Sequence, residues 1–310
     1  MTDASKPSPE QMDVIRAVAE FSTKPMRTPV LRNPQDHGMA YEELFFPSAD
    51  GVALEAWYIP AAQKSDRLII ANHPLPMNRY GLAGHLEPWN QMDPTEINFL
   101  FELRHLHDAG YNILTYDLRN LGRSGTGNNG VCGVGRYEWR DCVGAKRYVD
   151  AHPELSAMKV GLLSRCTGGN AQYEAISRHP ELFANVRCMV SPMVVSMSAF
   201  TRNYANSVLQ GAGEFPDVLD FEQVNRGGLK NEEMTPHLFA PDIKMPTLIA
   251  QVRGDKWTED EDGEKTFDLL GADDKELFWI EGSDRRWVGY NYFGNNPEKL
   301  LGWFNKYMGN

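Results

Sequence analysis

The chain reads as an α/β protein, with a mostly parallel central sheet covered by helices on both faces and a helical cap inserted late in the sheet. Three observations predict this. Short apolar runs of strand length alternate with segments of helical spacing from residue 67 onward. That alternation breaks between residues 192 and 245 and then resumes. In the middle, Lys159–Ala171 (KVGLLSRCTGGNA) runs from a buried strand through a sharp turn into a helix opening near Gly168 and Gly169.

Residues 1–40 form an N-terminal extension, with helical spacing over Pro9–Phe21 and a polar, proline-broken stretch after it. Tyr41–Pro60 alternates on either side of Asp50-Gly51, a hairpin signature. Arg67–Asn72 is apolar enough for a strand buried on both faces and feeds a long loop, His73–Pro94. A helix is expected over Asn98–Ala109, a strand over Tyr111–Asp117, and a helix over Tyr137–Ala151. The strand Val160–Leu163, the helix Gly168–His179 and the strand Asn185–Ser191 follow. Pro192–Met245, rich in Met, Phe and polar residues, is the expected cap. Thr247–Val252 and Glu276–Glu281 are the last strands, with helix around Thr266–Leu270 between them and Pro297–Met308 closing the chain. The core is thus expected over 41–191 and 246–310, with the cap over 192–245. The glycines of Gly122–Gly135 lack the later spacing and acidic partner of a dinucleotide site, so they read as a flexible connection.

Composition narrows the function. A net charge of −11 with no Lys/Arg cluster argues against nucleic acid or an anionic membrane as partner. The four cysteines have no ligand spacing and suit reduced thiols in a cytoplasmic protein. No motif calls for a cofactor or a metal. No signal peptide or apolar run of membrane-spanning length is evident. A small molecule is the expected partner, and a homo-oligomer remains open.

The strand–turn–helix stretch has the layout of a nucleophile elbow, with Cys166 at its centre in Ser164-Arg165-Cys166-Thr167-Gly168. Strand and helix pass closely there, so the positions two before and two after the centre must be small, as Ser164 and Gly168 are. The helix N-terminus and Arg165 both favour a thiolate at Cys166. In an open parallel sheet, ligands bind beyond the carboxyl ends of the strands. The elbow, the His73 loop, Asp117 and the segment after Val252 all lie at that edge. Met77, Tyr80, Trp257 and Trp287, with Arg165, are the expected substrate-binding side chains, lining an apolar pocket.

Three stretches together resemble the α/β-hydrolase superfamily over about residues 41–308: YDLRNLGRS (116–124), SRCTGGNA (164–171) and IAQVRGDKWT (249–258). A cysteine in the elbow is similar to the dienelactone hydrolases. The resemblance implies Cys166 as nucleophile and Asp255 as triad acid, with Asp260 and Asp262 as rivals. It implies an oxyanion hole from the N–H groups of Thr167 and Leu75, because Pro74 and Pro76 have none. No histidine stands after the last strand, where the family has its base. Arg285 falls closest to that slot and, always protonated, cannot be a base. His73 is the best replacement, ahead of His85 and His237. The expectation is an acyl-transfer or hydrolase-like enzyme acting on a hydrophobic ester, thioester or activated carbonyl, with transferase, lyase or cyclase chemistry open. The alternative is a binding protein that kept the fold and lost the triad. An anionic ligand held by Arg79, Arg165 and Arg285 is a further possibility.

Overall fold

Helix α1 (Pro9–Thr23) is closed at its start by a capping box, Ser8 Oγ accepting from Gln11 N at 3.2 Å and Gln11 Oε1 from Ser8 N at 2.8 Å. Next, Asp50 and Gly51 turn the chain between β1 (Glu42–Pro47) and β2 (Ala53–Ile59), an antiparallel pair. The computed structural model describes residues 6–208 and 215–309. The chain continues through β3 (Arg67–Asn72), β4 (Gly81–Ala83), β5 (Glu96–Asn98), α2 (Leu100–Asp108), β6 (Asn112–Tyr116) and α3 (Trp139–Ala151). Then come β7 (Lys159–Ser164), α4 (Thr167–Arg178), α5 (Pro180–Phe183) and β8 (Val186–Pro192). Helices α6 (Met197–Val208) and α7 (Pro216–Asn225) and short 3-10 turns occupy the expected cap; its residues 209–214 lie outside the described ones. The end of the chain is β9 (Thr247–Val252), α8 (Asp260–Leu269), β10 (Lys275–Ile280), α9 (Arg286–Asn295) and α10 (Glu298–Met308).

The main sheet has eight strands in the order β1-β2-β6-β3-β7-β8-β9-β10. Pairing is antiparallel from β1 to β6 and parallel from β6 onward. Both faces are apolar because successive residues of the central strands face opposite ways. Ile69, Ile113, Leu163 and Val190 pack under Leu103 of α2 and Phe304 of α10. Leu68, Ile70, Leu114 and Leu162 pack under Val143 of α3 and Tyr173 of α4.

The long loop after β3 is more ordered than its composition suggests. Asn78 folds it back, its Oδ1 accepting from Tyr80 N at 2.9 Å, and Gly81 then pairs with Asn98. A side chain at Gly81 would meet the Ile97 carbonyl oxygen at 2.0 Å, so β4 and β5 pair only because that position is glycine. Asn98, expected in α2, belongs to β5, and its Oδ1 accepts from Leu100 N at 3.0 Å at the turn into the helix. Helix α9 had no counterpart among the expected elements.

Asp117, just past β6, locks this loop to the sheet. Its carboxylate accepts from Arg79 N at 2.7 Å, Arg79 Nη1 at 2.6 Å and Arg123 N at 2.8 Å, and Arg79 also pairs with Glu55 at 2.5 Å. Asp117→Ala leaves a buried guanidinium half compensated. It is expected to lower stability by about 3 kcal/mol or more, read as a lower urea midpoint at unchanged slope.

Candidate active site

Cys166 sits at the turn between β7 and α4 with φ 49° and ψ −116°, a left-handed backbone that few side chains tolerate. The turn is held by its neighbours: Cys166 N donates to Pro192 O and Asn170 N to Cys166 O, both at 2.9 Å. The small residues expected around the centre are needed. A Cβ on Gly168 would meet Asn72 Oδ1 at 2.2 Å and His73 O at 2.8 Å. The thiol is 6% exposed and lies at the base of a cavity of about 30 Å³, lined also by Leu75, Thr167, Met197, Arg286, Trp287 and Tyr290.

Leu75 N donates a long hydrogen bond, 3.4 Å, to Thr167 Oγ1, which is itself 3.8 Å from Cys166 Sγ. The two expected oxyanion donors therefore come from facing elements, the loop after β3 and the first residue of α4. Both residues line the cavity.

Asp255, in the turn after β9, is buried. Its Oδ1 accepts from Trp257 N at 3.0 Å; its Oδ2 accepts from Thr258 Oγ1 at 2.8 Å and Arg286 Nη1 at 2.7 Å. The arginine that pairs with Asp255 is Arg286 and not Arg285. Arg285 precedes α9, is half exposed, and pairs with Asp93 at 2.6 Å on the surface. Arg286, one residue later, is the first of α9 and is turned inward by the helix.

Every face of the Arg286 guanidinium is engaged. Besides Asp255 it donates to the Met193 carbonyl through Nη2, to Thr258 Oγ1 at 3.3 Å, and through Nε to Tyr290 Oη at 3.0 Å. Tyr290 is one helical turn on, on the same face, and lines the cavity together with Arg286 and Cys166. Asp255, Arg286 and Tyr290 are thus joined by hydrogen bonds, and Tyr290 borders the same cavity as Cys166.

The electrostatics of this series follow from burial and pairing. Burial works against the Arg286 charge, but Tyr290, Cys166 and Asp255 outweigh it and hold the guanidinium well above its ordinary value. Burial pushes the Tyr290 phenol well above its usual range, with the Cys166 charge adding to the shift and Arg286 opposing it. Arg286 is therefore a permanent cation and Tyr290 a protonated hydroxyl that accepts from Arg286.

The other expected site residues lie elsewhere. His73 is wholly buried; its Nδ1 bonds Pro74 O at 2.9 Å and its Nε2 accepts from Leu118 N at 2.9 Å, so both ring nitrogens are spent on the backbone. His85 faces Glu96 at 3.7 Å and His237 faces Asp262 at 3.5 Å. None of the eight histidines lines the cavity. Asp262 accepts from Ser196 N at 2.8 Å and Asp260 from Gly254 N at 2.7 Å, so neither rival acid reaches Arg286.

Arg165 points beneath the elbow, donating to Asn72 O at 2.8 Å and pairing with Glu102 at 2.5 Å over the Phe99 ring. With Arg79 paired to Asp117 and Arg285 on the surface, the three arginines do not converge on an anion site. Met77 is core, and Tyr80 donates to Glu96 away from the cavity. Trp257 packs behind the wall against Tyr204 and Phe200, at centroid distances of 5.2 and 5.8 Å. Trp287 lines the cavity as expected. Sequence reasoning missed Arg286, passed over Tyr290 as one aromatic among many, and missed Phe21 and Ser22 of α1, which close the cavity. The Arg-Trp-x-x-Tyr spacing at 286–290 was the available signal.

No protein-family model matches the chain, and no curated protein matches it in sequence. Solved structures do match. An esterase of Pyrococcus furiosus, Pf2001, superposes with a TM-score of 0.66 at 17% identity, over 92% of this chain and 100% of that one. The chain has the α/β-hydrolase fold. The alpha/beta hydrolase GrgF from Penicillium sp. sh18 gives a TM-score of 0.59 at 15% identity, covering 87% of this chain and 99% of its own. The esterase EaEST from Exiguobacterium antarcticum gives 0.54 at 15%, covering 87% and 100%. On the α/β-hydrolase fold, Cys166 occupies the elbow after β7 and Asp255 the turn after β9, both at the carboxyl edge of the sheet.

Burial pushes the His73 imidazole down to about 4 from the ordinary 6.5. The unfolded chain therefore binds this proton first as the pH falls. The contribution of neutral His73 is whole above about pH 6.5 and is lost as pH drops towards 4, a loss on the order of 3 kcal/mol. Urea midpoints measured from pH 7 to pH 4.5 should fall less steeply for His73→Gln than for the wild type.

Proposed function

We propose that this protein is an acyl-transfer enzyme in which Cys166 attacks a hydrophobic ester, thioester or activated carbonyl. The observation that carries the reading is a cysteine on a left-handed elbow, in one cavity with Arg286 and Tyr290, which are themselves hydrogen-bonded to each other and, through Arg286, to Asp255. The Arg286 guanidinium and the Tyr290 hydroxyl line the cavity with Cys166, which stands at the amino end of α4. As sulfur bonds to the acyl carbon, the carbonyl electron pair moves to oxygen, which takes hydrogen bonds from Thr167 N and Leu75 N. Collapse restores the carbonyl and breaks the bond to the leaving group, which leaves with the electron pair and takes up the proton that the Cys166 thiol gave up on attack. The product is a thioester on Cys166.

The second half separates this site from an ordinary esterase. Hydrolysis needs a group that takes a proton from water. Arg286 and the Tyr290 phenol both hold their protons, and no histidine lines the cavity. An acceptor that is a better nucleophile than water, such as a thiol or an amine, fits this arrangement best. The same lack of a base favours a second reading, a binding protein without turnover, which predicts no covalent product.

Incubation with p-nitrophenyl acyl esters is expected to give a stoichiometric burst of nitrophenol and an acyl adduct on Cys166, visible by intact mass. Decay of the adduct should be slow in water and fast with added hydroxylamine or a small thiol. Cys166→Ala abolishes the burst. Arg286→Met, which keeps the bulk but removes the charge, lowers the rate of Cys166 alkylation by iodoacetamide about tenfold or more. An Arg286→Met rate equal to that of the wild type, or wild-type protein without any adduct, leaves the binding reading in place.

A further inference from the structure

The cavity over Cys166 is too small for a substrate; at about 30 Å³ it holds little more than the reacting group. Immediately beyond it lies a second chamber of about 230 Å³. The two share three wall residues, Phe21, Met92 and Trp287, so they are neighbouring rooms divided by those side chains. The chamber has no charged residue in its lining. Trp287, at the junction, is buried and its indole Nε1 has no hydrogen-bond partner among the described residues. A ligand passing from one room to the other can supply the missing acceptor.

One wall of the chamber is α1, through Val14, Ala17, Val18 and Phe21. This helix is fixed in place. Ile15, Val18 and Ala19 pack on Leu219 of α7, Arg226 pairs with Glu20 at 3.1 Å, and Thr23 O accepts from Cys132 N at 2.8 Å. Ala17 and Met26 are exposed and mark where the chamber meets solvent.

We infer that the chamber under α1 receives a neutral, apolar tail of the substrate, and that Phe21 and Ala17 set which tails are accepted. Phe21 stands between the tail and the reacting centre, and Ala17 leaves the outer end open. The N-terminal segment is then part of the binding site, and the specificity of the fold rests on a helix outside the sheet. This inference builds on the acyl-transfer reading, since the tail is placed relative to a carbonyl at Cys166.

The test is the rate of Cys166 adduct formation with p-nitrophenyl acetate, butyrate, octanoate and decanoate, followed by intact mass. In wild-type protein each methylene buried in the chamber should raise the rate at low ester concentration by up to about fourfold, until the chamber is full. Ala17→Trp places an indole at an exposed helix position facing the chamber and should remove the dependence on chain length. Phe21→Ala joins the two rooms and should admit esters branched next to the carbonyl. In parallel, binding of 1-decanol to Cys166→Ala and to Cys166→Ala/Ala17→Trp is read from tryptophan fluorescence, with no chemistry involved. Decanol binding that Ala17→Trp abolishes, with no adduct from any ester, upholds the chamber and sinks the acyl-transfer reading. Adducts forming at one rate for all chain lengths in both proteins, without decanol binding, overturn the chamber and leave acyl transfer standing.

Discussion

A guanidinium cannot be buried without a carboxylate brought to meet it, and this fold buries four at the carboxyl edge of its sheet. Arg79 meets Asp117 and Glu55, Arg119 meets Asp141 and Asp50, Arg165 meets Glu102, and Arg286 meets Asp255. Each arginine side chain is nearly or wholly inaccessible, and each pair ties a loop to an element from a distant part of the chain. The loops after β3, β6, β7 and β9 are all held in this way. The site therefore rests on paired charges whose geometry tolerates little drift.

The fourth pair does more than hold a loop. Arg286 joins Asp255 to Tyr290, and Arg286 and Tyr290 line one cavity with Cys166. An imidazole oriented by a carboxylate can take a proton from one reacting group and return it to another. A guanidinium and a phenol that both keep their protons supply charge and hydrogen bonds without exchange.

The access side is built from parts remote in sequence. Helix α1 lies some 150 residues before the elbow, and it closes the Cys166 cavity with Phe21 and Ser22 while α6 contributes Met197 and Phe200. What composition suggests is a polar appendage is in fact a wall. Its apolar stripe is divided between Leu219 of α7 and the chamber, which is why the stripe is wider than a single helix–helix contact needs.

Local chemistry was enough for the parts of this protein that depend on neighbours in the chain. Apolar runs on both faces set the parallel strands, Asp50-Gly51 set the hairpin, and the small residues flanking Cys166 set the elbow, because each is a matter of backbone space within a few residues. The expectations for Asp255, Thr167 and Leu75 came from the resemblance of three stretches to the α/β-hydrolases, and not from local spacing alone. Only the tertiary structure decided which arginine turns inward. Arg285 and Arg286 are adjacent and chemically identical, and the start of α9, an element without a strong sequence signal, sends one to Asp93 on the surface and the other to Asp255 in the core. His73 went the same way: the sequence places it near the site, but two backbone groups from separate loops claim both its nitrogens. Which side chain finishes beside the Cys166 sulfur is settled by partners tens or hundreds of residues away, and spacing along the chain carries no record of them.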